Sequence, residues 1–382
     1  MSNWLKQDRV SDARVMVVGC GALGNEVLKN LVLMGIEHIV AVDFDVVEMG
    51  NLSRSVLFLK ADAEVQRLKV EVVAERLKTI NPAVDVHAIC GDIAYDVGLG
   101  LLRRMDVVIG CVDSRWARFC INRMCMRAGV PWVDGGIDGL EGTVRVFVPG
   151  KNCYACNLGP EGLKDLSRRM PCSGIIRRQE KAGSVPTTSI IASVIGAVEV
   201  QEALKLLHHK ELEVGTVTSL CGKMFYYEGE HMIMHVAEFN AYDDECPEHE
   251  RWEPIGCTVV NQSSTVAEAL RILSDELRVE EVTLCLSSDC YVDYVVRRDN
   301  DERTMVMCPG RKVESAVSQR SNLQDVLLSG LYQHEYRYID ARFPYSELTL
   351  GALGIPASDV LHVTTTQGDY YLEMKEYNEK EK

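Results

Sequence analysis

Three cysteines fall in the stretch KNCYACNLGPEGLKDLSRRMPCSGIIRRQ, residues 151–179. Cys153 and Cys156 have the C-x-x-C spacing of half a structural zinc site. Far downstream, Cys246-Pro247-Glu248-His249 offers a second short pair, C-x-x-H. By spacing alone a four-ligand site and a merely solvated His249 in a charged loop are both open readings. Cys172 is left over. Arg168, Arg169, Arg177 and Arg178 surround it as a basic island in an acidic chain. Nearby cations lower a thiol's pKa and raise its thiolate fraction, which is what a nucleophile needs. The structural alternative is a small buried cysteine beside a crossing loop.

A second constellation opens the chain. Ala13 to Gly19, ARVMVVG, is a continuous apolar run and reads as a buried parallel strand. It enters GCGALG, with Gly19, Gly21 and Gly24, and then NEVLKNLVLMG, whose apolar residues recur at helical spacing up to Gly35. HIVAVDFD follows as a strand ending in Asp43 and Asp45. Glycines at this turn let backbone N–H groups approach a phosphate at a helix N-terminus, and the acid can hold a ribose hydroxyl. The order strand, glycine turn, helix, strand, acid favours a nucleotide site over a tight turn in an unliganded α/β fold.

The elements that position these groups belong to a chain of 382 residues, long enough for two or three domains. It is 47% hydrophobic and 25% charged, as expected of a globular protein with a core. A net charge of −15 argues against nucleic acid as the main partner. The start, MSNWLKQDRV, lacks a signal-peptide pattern, and charges break every apolar run before it could span a bilayer. The chain is therefore expected to be cytoplasmic, with its 14 cysteines reduced; disulfides are the least expected use of Cys153, Cys156 and Cys172. Cys20, Cys90, Cys111, Cys120, Cys125 and Cys221 read as core or turn thiols. SVPTTSIIASVIGAVEVQEALKLL is an apolar helix opened near Pro186 and Thr188.

Further pieces follow in order: DFDVVEMGNLSRSVLF, then RLKVEVVAERLKTINP, then DVVIGCVDSRWARFCIN. D-x-D-x-V-x-x-x-N-L-x-R, a lysine opening the next helix, and D-x-x-x-x-R-x-x-x-N after an apolar strand together resemble the ubiquitin-activating-type adenylyltransferases, over about the first 210 residues. The resemblance implies that Asp43 and Asp45 lie near the ribose of ATP, that Asn51, Arg54 and Lys69 contact phosphates, and that Asp113 holds Mg²⁺. Read singly, Arg54 and Lys69 are solvated charges and Asp113 is a helix N-cap. The family's usual Asn after the metal-binding Asp is here Ser114. The resemblance also implies that Cys153, Cys156, Cys246 and His249 form a Cys₃His zinc site, and that Cys172, followed by Ser173, is the thioester-forming cysteine on a crossover loop at about 157–188. Many members lend an arginine from an N-terminal arm to a neighbouring subunit. Arg9 is the only arginine before the first strand here, so either Arg9 or a partner residue would complete the ATP site.

After WEPIG the pattern changes. CTVVNQSSTVAEALRILSDEL holds a strand and a helix with a Thr265/Glu268 capping box. EVTLCLSS, CYVDYVVRRD, DVLHV and DYYLEM read as strands. Strands around one helix look like a β-grasp fold, with a β-rich dimerisation domain as the alternative. The expected architecture is α/β: residues 1–250 as a Rossmann-like, mostly parallel adenylation domain, and 257–377 as a smaller ubiquitin-fold-like domain that binds a conjugating enzyme. The expected function is ATP-dependent adenylation of a ubiquitin-like protein, thioester formation on Cys172 and transfer to the conjugating enzyme, by a homodimer or a heterodimer with a pseudo-enzyme subunit. The alternatives are a sulfur-carrier adenylyltransferase and a catalytically dead scaffold; the presence of Arg54, Lys69 and Asp113 argues against the scaffold.

Overall fold

The structure is a computed structural model that describes residues 4–158, 162, 187–239, 242–286, 292–293, 335–336 and 338–376. The chain forms two compact units. The second begins at Trp252 and also takes in Ala94–Leu101.

The first unit is built on an eight-stranded sheet. Helix α1 (Gln7–Asp12) leads into β1 (Arg14–Val18), α2 (Ala22–Met34) and β2 (His38–Val42). Then come α3 (Lys60–Glu64), α4 (Lys69–Ile80) and β3 (Asp85–Ile89). After α5 (Leu99–Leu102), whose residues up to Leu101 belong to the second unit, follow β4 (Val107–Gly110), α6 (Arg115–Ala128), β5 (Trp132–Asp138) and β6 (Glu141–Phe147). The unit closes with α7 (Ser189–Leu207), α8 (His209–Glu213), β7 (Lys223–Glu228) and β8 (Ile233–Glu238).

The strand order is β3-β2-β1-β4-β5-β6-β7-β8. The first five strands run parallel, and β6, β7 and β8 continue the sheet antiparallel. The apolar runs anticipate this: β1 and β2 are buried at every position but the first, as strands with both faces covered must be. Helix α2 ends on Gly35, whose φ of +96° lets its N–H reach the carbonyls of Leu31 and Val32. Helix α7 starts on Thr188, whose Oγ1 accepts the Ile191 N–H at 3.3 Å. From β1 the chain winds outward through β2 and β3, then returns to place β4 on the other side of β1. Ligands of open α/β sheets bind at the carboxyl ends of the strands flanking such a reversal, here β1 and β4.

The second unit contains β9 (Ile255–Cys257), α9 (Val266–Leu277), β10 (Thr283–Cys285), β11 (Val292–Asp293), β12 (Glu335–Tyr336), β13 (Tyr338–Ile339), β14 (Val360–Thr365) and β15 (Gly368–Glu373). Its main sheet has the order β13-β10-β14-β15-β9, with β9 parallel to β15 and the other pairs antiparallel. The capping box is present: Thr265 Oγ1 accepts the Glu268 N–H at 3.2 Å and Glu268 accepts the Thr265 N–H at 2.9 Å. Val266, Ala269, Leu270 and Leu273 of α9 share a core with Leu284, Ile339, Val363 and Leu372 of the sheet. Among the described residues, α9 on a mixed sheet whose first and last strands pair in parallel makes a β-grasp arrangement. Ala94–Leu101 is part of this unit: the Leu99 N–H donates to Asp359 Oδ1 at 2.8 Å, and a Cβ at Gly100 would collide with the Ser358 carbonyl. Among the described residues, no helix is long and apolar enough to cross a membrane.

Candidate functional site

The glycine loop follows β1 directly. Gly19 has φ +96°, and a Cβ at Gly24 would collide with the Gly19 carbonyl, so the loop folds tightly onto the first turn of α2. Gly21 is the N-cap of α2, with open space where its side chain would project. Unsatisfied N–H groups and the positive end of a 13-residue helix face that space.

Asp43, just past β2, is tied to the loop. One carboxylate oxygen accepts the Cys20 N–H at 2.7 Å and the other accepts the Asp45 N–H at 2.8 Å. Burial raises the Asp43 pKa, with Lys69 and the two N–H donors opposing. Lys69, the first residue of α4, places Nζ 3.0 Å from Asp45 Oδ2. Burial works against its ammonium, but the carboxylates of Asp43 and Asp45 outweigh it and its pKa sits above the ordinary value. Asn51 closes a short 3₁₀ turn, Met49–Asn51, by accepting the Glu48 N–H at 2.9 Å. Arg54 is half-buried, and its guanidinium has no ion pair among the described residues.

Asp113 lies beyond the carboxyl end of β4 and is exposed. It does not cap α6. Ser114 does, accepting the Ala117 N–H at 3.2 Å, so the Asp113 carboxylate is left facing solvent. The crest of the sheet thus carries an open helix N-terminus after β1, an acid pair with a lysine from β2 and α4, and an exposed carboxylate after β4.

A cluster missed by the sequence reading supports this crest. Asp134, fully buried on β5, accepts Arg118 Nε from α6 at 2.8 Å and Arg145 Nε from β6 at 2.9 Å, and Arg145 Nη2 joins them. Arg118 Nη2 also donates to the Gly135 carbonyl at 3.0 Å. The sequence flagged only part of it: Arg118 and Asn122 are the R and N of D-x-x-x-x-R-x-x-x-N, whereas Asp134 and Arg145 stand in no motif. Asn122 Oδ1 accepts the Tyr154 N–H at 2.9 Å and so holds the backbone between Cys153 and Cys156.

The two short cysteine pairs do converge. Cys153 Sγ lies 3.6 Å from Cys156 Sγ and 3.8 Å from Cys246 Sγ, and Cys156 Sγ lies 3.1 Å from His249 Nε2. All four donor atoms fall within 4.8 Å of one another. Tetrahedral coordination at a Zn–S length of about 2.3 Å places sulfurs roughly 3.8 Å apart, so the donors fit that ion. Without a cation, burial pushes the Cys153 thiol well up and the Cys246 thiol up to about 11. Such thiols become thiolates when a metal holds them. The second pair is anchored by Glu248, which binds Arg123 of α6 through both oxygens at 2.8 Å, and Tyr242 stacks on His249 at 4.4 Å.

A match to the ThiF family covers residues 4–248. The chain belongs to that family. Among curated ThiF relatives, the SAMP-activating enzyme E1 of Haloferax volcanii is 30% identical over 63% of this chain and 82% of its own length. The molybdopterin-synthase adenylyltransferase of Salmonella typhimurium is 32% identical over 53% of this chain and 76% of its own. In fold the chain is similar to E. coli MccB crystallised with selenomethionine MccA (TM-score 0.51, 23% identity, 64% of this chain and 68% of that one).

Cys172, its four arginines and most of the crossover loop lie outside the described residues. Arg9 pairs with Glu211 of its own chain at 3.3 Å. Of the six cysteines read as core or turn thiols, Cys20, Cys120 and Cys125 are buried, Cys111 and Cys221 are half-buried and Cys90 is exposed.

Proposed function

We propose that this ThiF-family chain uses Mg·ATP to adenylate the C-terminal carboxylate of a ubiquitin-like protein, then takes the acyl group onto Cys172 as a thioester for a conjugating enzyme. A carboxylate oxygen attacks the α-phosphorus and pyrophosphate leaves, giving acyl-AMP. The Cys172 thiolate then attacks the acyl carbon and AMP leaves. Two anions meet in the first step, so the site must supply positive charge where they meet. The N-terminus of α2 receives phosphate, Lys69 and Arg54 stabilise the charge that develops at transfer, and Asp43 and Asp45 orient the ribose. Asp113 would hold Mg²⁺, which supplies charge neutralisation on the phosphates. Cys153, Cys156, Cys246 and His249 would hold a structural zinc.

The observation that carries this reading is the placement of the glycine loop and Asp113 at the carboxyl ends of β1 and β4, where the strand order reverses. Two surfaces suit protein partners. Phe44, Met49, Val56, Leu59 and Val65, all from the segment between β2 and α4, are exposed apolar side chains that suit a second subunit. Met234 and Val236 are exposed on the edge strand β8, where the modifier can dock. The β-grasp unit is assigned to the conjugating enzyme.

The similarity to the Salmonella adenylyltransferase supports a second reading, activation of a sulfur carrier without a conjugating enzyme. ATP–pyrophosphate exchange driven by candidate ubiquitin-like and sulfur-carrier proteins tests the shared step. A reductant-sensitive adduct on Cys172, passed to a conjugating enzyme, separates the two readings.

A further inference from the structure

Glu199 lies on the inner face of α7 and is completely buried, yet neither carboxyl oxygen has a hydrogen-bond partner among the described residues. It lies flat against the backbone of β5: a Cβ at Gly135 would collide with its carboxyl group. An unpartnered buried carboxyl opposes folding, and such conflicts between local chemistry and stability gather at functional sites.

Its surroundings define what it does. Asp134, next in the chain to Gly135, is the carboxylate held by Arg118 and Arg145. Arg118 also holds the Gly135 carbonyl. Past the end of β4 lies Cys111, whose thiol is pushed up by burial first and then by Glu199. From α2, Glu26 lies against Gly196, one turn before Glu199, and is itself paired with Lys29. Tyr154 joins more remotely, through its contact with Arg145. Arg118 is the cation whose charge acts on Glu199, and it is already bound to Asp134. Burial first, then Asp134, raises the Glu199 pKa well above its ordinary value, against the opposing pull of Arg118 and of the Gly135 N–H, which lies close to the carboxyl without the geometry of a full hydrogen bond.

We propose that Glu199 is a positioning residue of the nucleotide site: as an uncharged carboxyl it leaves Arg118 bound to Asp134 and Gly135, and as a carboxylate it draws Arg118 away. Arg118 closes the first turn of α6, its N–H bonded to the Ser114 carbonyl, and Asp113 precedes that N-cap residue. The proton on Glu199 thus fixes the carboxylate assigned to Mg²⁺. The inference rests on the reading of Asp113 as part of a Mg·ATP site.

Two measurements on the full-length protein test it. Infrared spectra of wild type and Glu199→Gln at neutral pH should differ by the C=O stretch of a protonated carboxyl, and that band should fade from wild type at alkaline pH. A wild type without the band overturns the proposal, and the wild-type titration alone decides this point if the variant fails to fold. Calorimetric titration with Mg·ATP from neutral to alkaline pH should show wild type weakening by about tenfold, equivalent to one pKa unit of coupling, while Glu199→Gln shows no such limb. Binding that weakens equally in both proteins overturns the proposal and leaves the functional reading intact. Absence of Mg·ATP binding by either protein at every pH overturns the functional reading, and the positioning role with it.

Discussion

Ser114 Oγ accepts the N–H of Ala117 at 3.2 Å, and in doing so it relieves Asp113 of the capping role that its place before α6 would give it. Capping falls to Ser114, which leaves the Asp113 carboxylate available for the Mg²⁺ role proposed for it. Replacing Ser114 with Ala should lower stability by about 1 kcal/mol, the usual cost of a lost N-cap. Denaturant unfolding measures this. A loss of activity without a loss of stability would contradict the division of labour.

Lys69 and Arg54 are cations whose roles follow from the crest. Lys69→Ala and Arg54→Ala should each slow adenylation by about 10²–10³-fold, or roughly 3 kcal/mol of electrostatic stabilisation. Single-turnover formation of acyl-AMP is the measurement. Lys69 also neutralises Asp43 and Asp45, so Lys69→Ala should weaken ATP binding as well as turnover. A slower rate with unaltered affinity would confine Lys69 to the transition state.

The thiol cluster predicts one zinc per chain. Elemental analysis of a Cys153→Ser, Cys156→Ser double variant should find the metal gone, and chelation of the wild type should lower its melting temperature. Zinc content unaltered by the double substitution would sink the ligand assignment. His249→Cys, which restores the commoner ligand type, should keep the metal.

Much of this was legible locally. The apolar run of β1, the glycine turn and Gly35 fall within one βαβ unit, where period and turn chemistry suffice. Lys69 at the start of α4, the Thr188 cap and the Thr265/Glu268 box were equally readable, because a cap and its helix are adjacent in the chain. The Arg118–Asp134–Arg145 cluster was not, since α6, β5 and β6 bring its members together only in space. Glu199 looked like one more position in an apolar helix, and nothing in the pattern aims it at Gly135. Ala94–Leu101 lies between two strands of the first unit by sequence, and its burial with Asp359 is a pairing that no local signal announces.

That pairing changes how the C-terminal unit should be removed. Tyr95, Val97 and Leu99 are buried, so truncation before Cys257 should be combined with a polar replacement of Ala94–Leu101. The resulting protein should adenylate the modifier and charge Cys172, while transfer to the conjugating enzyme falls sharply, because a tethered docking unit raises the acceptor's local concentration. Undiminished transfer would assign the unit another task, with dimerisation next in line.

Cys172→Ala should still form acyl-AMP but no thioester, read as the loss of a reductant-sensitive adduct on a gel. An adduct that survives the substitution would move the nucleophile to another cysteine.

The central claim is that the crest formed by the glycine loop, Lys69 and Asp113 adenylates a protein's C-terminal carboxylate. ATP–pyrophosphate exchange, stimulated by a ubiquitin-like or sulfur-carrier protein and compared between wild type and Asp113→Ala, tests it most directly. The account predicts modifier-dependent exchange in wild type and none above background in Asp113→Ala. Exchange at the wild-type rate in a folded Asp113→Ala protein would contradict it.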